Sequence, residues 1–264
     1  MVALEAGDFV MGSPDLEPER GGDELQHLRR IGRTFAIASK AITKAQYRKF
    51  QEANYADISY PYADGYSRTD DSPMLGMKWY EAAWCCNWLS EQDGIPKDQW
   101  CYLPNEAGKY AQGMKPADDY RARIGYRLPT EGEWEFACRA RTSTTFSFGA
   151  DVTLLRHYGW YMINSDDHTW PGGSLKPNDF GLFDMHGNNW EWLHDIHYSY
   201  TASSDGTAVE DPNDIAVVKD VDVRLNRGGS FQQLPHEARS ASRSGCQAPL
   251  QILTIGFRPV KTIK

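Results

Sequence analysis

The sequence predicts a mixed α/β fold that is loop-rich, with about three helices and a few short strands. Three observations predict it. Three segments carry helical spacing or helix-start signals, while the text between them is punctuated by Gly, Pro, Asn and Asp. The 9 Trp and 14 Tyr outnumber the 10 Phe, and rings with polar tips suit an interior where they wedge between irregular segments. No internal repeat, low-complexity run or linker interrupts the chain, so residues 1–264 read as a single domain.

Taken in order, "TFAIAS" is the first strand candidate. "AITKAQYRKFQEA" opens with Thr43 and carries Gln46 three residues on, the pattern of a reciprocal capping box. "GMKWYEAAWCCNWLSEQDG" puts Trp79, Ala83, Cys86 and Leu89 on one helical stripe, and Gly94 can end it. An ordered excursion, "GIPKDQWCYLPNEAGKYAQGMKPADDYRARIG", follows. "YRLPTEGEWEFACRA" repeats the capping box with Thr130 and Glu133 and turns Trp134, Ala137 and Cys138 inward. Cys86 and Cys138 read as small core residues. "RGGSFQQLPHEARSASR" reads as a buried strand, a tight double-glycine turn and a polar run containing Arg239 and Arg243. "IGFRPVK" is the last strand candidate.

The formal charge of -8 argues against nucleic acid as a partner, since phosphate binding needs a basic surface. No stretch has the apolar length of a membrane span. "MVALEAGDFVMGS" lacks the basic and apolar regions of a signal peptide, which makes the cytoplasm the default expectation. The 5 Cys are scattered, with no Cys-x-x-Cys pair and no Cys/His cluster, so neither a zinc site nor a disulfide framework is indicated. There is no G-x-S-x-G elbow, P-loop or dinucleotide fingerprint.

Eight phrases in order carry a resemblance: "FVMGS", "AITKAQYRKF", "WYEAAWCCNWLS", "GYRLPTEGEWEFACRA", "NDFGLFDMHGNNWEW", "RGGSF", "RSASR" and "IGFRPV". Together they resemble the formylglycine-generating enzyme (sulfatase-modifying factor) family, from about Phe9 to Val260. The resemblance implies a variant of the C-type-lectin fold. Its long form is similar to modules fused to other domains, kinases included.

The resemblance also implies a structural calcium held by Asp184, the backbone oxygens of Gly187 and Asn189, and Glu191. That choice suits a hard cation, which takes carboxylates together with carbonyls exposed by a tight turn. The competing reading is that Asp184 and Glu191 cap turns and pair with Arg. A second calcium would fall near Asn164 and Asp166 or Asp167, where the spacing matches poorly. His186, His194 and His197 invite a metal reading, but the family uses none of them, and lone histidines near a turn are more often hydrogen-bonded surface groups.

Formylglycine formation in this family needs copper(I) on two thiolates, since soft ligands select that ion. The positions matching those cysteines hold Gln233 and Ala238. Copper is therefore not expected, and the chain reads as a pseudoenzyme on an oxidase scaffold.

Three functional readings follow. The first is a non-catalytic module binding a protein or peptide ligand. The second, the alternative, is an oxidoreductase of the same family with untypical active-site chemistry. The third makes the chain a variable protein of a diversity-generating retroelement. In it, the scaffold residues Arg239, Ser240, Arg243, Gly256, Phe257 and Arg258 frame a mixed surface of Ser244, Gly245, Cys246, Leu250, Ile252, Leu253 and Thr254. A drifting loop or a buried strand "LQILTIGF" is the plainer account of that segment. The expected ligand floor is Gln232, Gln233, Leu234, His236 and Glu237, with Cys246, Leu250, Ile252 and Leu253 alongside. Polar groups at one end and aliphatic ones at the other suit recognition better than proton transfer.

Overall fold

The computed structural model describes residues 1–55 and 60–264. Four strands come first: β1 (Val2–Leu4), β2 (Gly7–Met11), β3 (His27–Ile31) and β4 (Phe35–Ile37). Helices α1 (Lys44–Asn54), α2 (Pro61–Tyr66) and α3 (Trp79–Gln92) follow. The excursion holds β5 (Tyr102–Leu103) and β6 (Lys115–Pro116), and leads to β7 (Tyr126–Arg127) and α4 (Glu131–Arg139). The C-terminal half supplies β8 (Trp190–Ile196), β9 (Val209–Glu210) and β10 (Val223–Arg227). It closes with β11 (Ser244–Gln247), β12 (Ile255–Gly256) and β13 (Val260–Thr262).

Strands distant in sequence pair into small sheets, in the orders β1-β4-β13-β7, β11-β10-β8-β12 and β2-β3-β9. β13 lies antiparallel to β4 with Val260 opposite Ile37, so the two ends of the chain close on each other. Among the described residues no helix is long and apolar enough to cross a membrane.

Both capping boxes form. Gln46 N donates to Thr43 Oγ1 at 3.2 Å, and Thr43 N donates back to Gln46 Oε1 at 3.0 Å. Thr130 and Glu133 repeat this at 3.2 and 3.0 Å. Trp79, Ala83 and Cys86 of α3 are buried and Leu89 sits at the edge of the same core. Helix α2 has no sequence signal beyond Pro61 in its first turn, where the missing N–H costs nothing. The expected strand "IGFRPVK" is split into β12 and β13. Pro259 has no N–H to give a ladder, and Arg258 turns inward to Glu191 instead.

Helix α4 decides how the pieces fit. Glu131, Glu133 and Glu135 are all buried. Glu131 and Glu135, four residues apart, share one face of the helix and share Arg227, while Glu133 points away from them to other arginines. Glu131 binds Arg227 at 3.0 Å and Arg243 at 2.7 Å. Glu133 binds Arg127 at 2.6 Å and Arg33 at 2.7 Å. Glu135 binds Arg139 at 2.8 Å and Arg227 at 2.5 Å. Breaking a buried pair strands a charge in a poor solvent, which costs far more than an exposed pair is worth. Arg227→Leu is therefore expected to lower the free energy of urea unfolding by about 3–5 kcal/mol. Arg30→Leu, which removes an exposed pair with Asp8, should leave the urea midpoint nearly unchanged.

Candidate functional site

The turn between Phe183 and Glu191 is shaped by backbone at positive φ: Asp184 at 58°, Gly187 at 136° and Asn188 at 68°. Asp184 is buried, and its Oδ2 accepts from Gly173 N at 2.8 Å. Its Oδ1 is buried with no hydrogen-bond partner, and so is Asn189 Oδ1. Burial pushes the Asp184 carboxyl up to about 6, against the opposing pull of the Gly173 N–H and of Arg258. Glu191 is differently placed. Arg258 Nε donates to both its oxygens, at 2.9 and 2.7 Å, and Trp134 Nε1 donates to Oε2 at 2.7 Å. The orphaned oxygen of Asp184 fits a cation. The carboxylate of Glu191 is already neutralised by Arg258, so it would have to be shared.

The second cation candidate is not gathered. Asn164 spends its side chain on Tyr161 N and Gly159 O. Asp166 and Asp167 are exposed, the first 3.6 Å from Arg68 and the second accepting from Gln232 Nε2 at 2.8 Å. The histidines are engaged with protein groups. His186 Nδ1 donates to Ala238 O at 2.8 Å and Nε2 accepts from Ser147 N. His194 bonds Asp214 O and Tyr102, and His197 meets Asp23 Oδ2 at 2.9 Å. Burial lowers both His186 and His194 to about 4. Two of the three are interior groups rather than the surface ones expected. No group of three His, Cys, Asp or Glu able to hold a metal occurs among the described residues.

Beyond β10, Gly228 and Gly229 turn the chain at φ 105° and 71°. A Cβ on Gly229 would come within 3.0 Å of Ala238 Cα and Glu237 O, which is why the turn needs glycine there. Gln233 O accepts from Met162 N at 3.0 Å, while Ala238 is buried. The polar run is pinned at both ends. Arg239 binds Glu17 at 2.8 Å and Glu24 at 2.7 Å, and Arg243 reaches Glu131.

A cavity of about 560 Å³ opens over this run, with Leu234, Pro235 and His236 on one wall. Thr145, Phe146, Ala150 and Val152 form the facing wall. Leu234 and Val152 are 45% and 46% exposed. Of the expected floor, Leu234 and His236 are in the cavity. Gln232 turns to Asp167, and Glu237 lies 3.5 Å from His236.

The expectation that Cys246, Leu250, Ile252 and Leu253 lie alongside is corrected, because none of them lines this cavity. Cys246 sits on β11 opposite Arg224, and with Ile252 packs on the core beneath α3. Leu250 is 41% exposed and Leu253 half-buried, in turns rather than in a strand. The run "LQILTIGF" yields a strand only at Ile255–Gly256. The facing wall at 145–152 left no signal in the sequence, since its loop has no periodicity to read.

The architecture, a mixed α/β assembly of small sheets with a turn at positive φ at 184–191, defines a class. The sulfatase-modifying factor enzyme 1-like domain family matches residues 1–263, and the chain belongs to it. It is 28% identical to a formylglycine-generating enzyme of Mycobacterium tuberculosis over 98% of this chain and 97% of that one. It is 24% identical to a serine/threonine-protein kinase of Chlamydia pneumoniae, covering 100% of this chain and 38% of the kinase. Among solved structures it is similar to Treponema denticola variable protein 1 (TM-score 0.80, 22% identity, 100% of this chain and 95% of that one). At that identity the likeness establishes the fold.

Asp184 gives a pH prediction. Its folded value is raised to about 6 from 3.8, so its contribution is fully present below pH 3.8 and lost as pH rises through 6. In chelator, the wild type should lose up to about 3 kcal/mol relative to Asp184→Asn across that window. Urea unfolding of both proteins from pH 4 to 7 is the check.

Proposed function

We propose that the chain is a non-catalytic module that binds a protein or peptide segment in the cavity between Leu234–His236 and the 145–152 loop. The observation carrying this reading is a concave surface of about 560 Å³ with exposed Leu234 and Val152 at its mouth. Its Leu234–His236 wall lies in the chain between Gln233 and Ala238, the positions where the family resemblance sets a pair of cysteines, although neither of these two lines the cavity. Exposed aliphatic side chains beside a pocket are a contact surface. Loops held by a rigid scaffold are the usual place for recognition.

The finer reading is that residues 244–254 vary between copies of the gene under a retroelement. The half-exposed β11 and the turns after it, framed by buried Arg239 and Arg258, support that reading. A reverse transcriptase and a near-copy of this segment beside the gene would be its genomic sign, and their absence would sink it. The similarity to a kinase over 38% of its length supports a native gene in which this domain is fused to others.

The binding test pans a random-peptide library on the wild type, then measures the selected peptides against Leu234→Asp and Val152→Asp. Loss of binding by at least tenfold with an unchanged melting temperature is expected. Retained binding overturns the placement. In parallel, a Cys-x-Pro-x-Arg peptide with copper(I) and oxygen should show no mass change beyond a no-protein control. Conversion would favour the oxidoreductase reading.

Calcium belongs to the same proposal. Asp184, with the carbonyls of Gly187 and Asn189, would hold the ion, and Glu191 would share its carboxylate between the ion and Arg258. A ligand bound only by the folded state stabilises it by mass action. Millimolar calcium should raise the melting temperature of the wild type and not of Asp184→Ala. Equal curves with calcium and with chelator would count against the ion.

A further inference from the structure

A second cavity, of about 350 Å³, lies along the first turns of α3 and is lined by aromatic and acidic groups: Tyr55, Tyr80, Trp84 and Tyr110 with Glu81 and Asp220. Lys78 is the one cation in its lining among the described residues. The rings form a panel. Trp84 and Tyr110 stack with centroids 5.5 Å apart at 15°, and Tyr55 lies 5.3 Å from Trp84 on a 36° tilt. Phe50 backs Trp84 edge-on at 5.2 Å, so the panel is fixed from behind. Tyr80 donates its hydroxyl to Asp220 Oδ1 at 2.8 Å, which orients that carboxylate at the cavity.

The charges here break the rule the interior keeps. Each glutamate of α4 is matched by arginine at 3.0 Å or less. Glu81 is half-buried, and burial raises its carboxyl above the ordinary value. Its Oε2 accepts the backbone N–H of Lys78 at 2.8 Å, and the Tyr60 hydroxyl and the Lys78 charge also act on this carboxylate without forming an ion pair. Neither Glu81 nor Asp220 forms an ion pair among the described residues. Two carboxylates beside four rings, short of cations, make an environment that a positive charge would complete.

We propose that this cavity binds an alkylated ammonium group, held over the Trp84–Tyr110 panel and facing Glu81 and Asp220. Ring faces carry negative potential and attract a cation most when it is desolvated. A quaternary ammonium sheds water more readily than a primary one and offers methyl groups to the rings, so it is the preferred form. The group is carried by a small molecule such as choline or by a methylated lysine side chain. The chemistry is shared, and the sources separate by experiment. The proposal does not rest on the Leu234 cavity.

The test uses calorimetry on the full chain with choline and its uncharged isostere 3,3-dimethylbutan-1-ol. Choline should bind at least tenfold more tightly. Asp220→Asn and Glu81→Gln keep size and hydrogen bonding, and each should weaken choline several-fold. Trp84→Leu should abolish binding, and circular dichroism with thermal melts will tell loss of the panel from loss of fold. A trimethyl-lysine peptide binding more tightly than choline assigns the group to a protein ligand, and the reverse order assigns it to a small molecule. Equal affinity for choline and its isostere, no binding of either, or indifference to both acid-to-amide changes would overturn the proposal.

Discussion

Everything else in this fold leans on the clasp between Arg227 and the glutamates of α4. Arg227 leaves the end of β10, fully buried, and bonds Glu131 and Glu135 on successive turns of one helix. Its remaining donors reach the carbonyls of Ser240 and Ser242 at 3.0 and 2.9 Å and the Tyr200 hydroxyl at 2.9 Å. One guanidinium thus ties a sheet, a helix and the return arm of the polar run. A domain with strands of two to seven residues has little ladder to hold it, and directional buried charge supplies the missing register. Such pairs contribute less net stability than apolar packing would, but a half-made pair is severely penalised, so alternative packings are excluded.

The same logic explains why the site can change while the fold stays. Arg239 is pinned to Glu17 and Glu24, Arg243 to Glu131, and Arg258 to Glu191. Each anchor is buried, and the chain between anchors runs over the surface. Residues 232–237 and 244–253 therefore carry few obligations to the core beyond buried Ala248 and the inward faces of Cys246 and Ile252. Gln233 and Ala238, the positions where the family resemblance sets two thiols, are not among these anchors.

What was legible in the sequence was local. Thr43 with Gln46 and Thr130 with Glu133 announce helices because a capping box closes within four residues. The turn at 184–191 was legible through its family phrase. Long-range pairing was not. Nothing near Cys246 tells that β11 pairs with β10 with Cys246 opposite Arg224, and that register takes it away from Leu234. The arginines were visible as residues but their partners were not, since Arg239 finds Glu24 215 positions away. The 145–152 wall is built from loop positions that acquire meaning only once His186 bonds Ser147 and Ala238 and holds that loop against the polar run.

The electrostatic balance then points outward. Seven arginines are buried, and each is bonded to a carboxylate or to backbone oxygens within the protein. The nine buried carboxylates exceed them by two, so the surface carries most, but not all, of the net charge of -8. A field of that sign concentrates cations and repels phosphate backbones. It favours a cationic group reaching Glu81 and Asp220, and it favours calcium at the orphaned oxygen of Asp184. Interior pairing of arginine with glutamate is close to charge-balanced, so the preference of the surface for positive charge comes from the surface's own excess of Asp and Glu and is separate from the constraint that sets the fold.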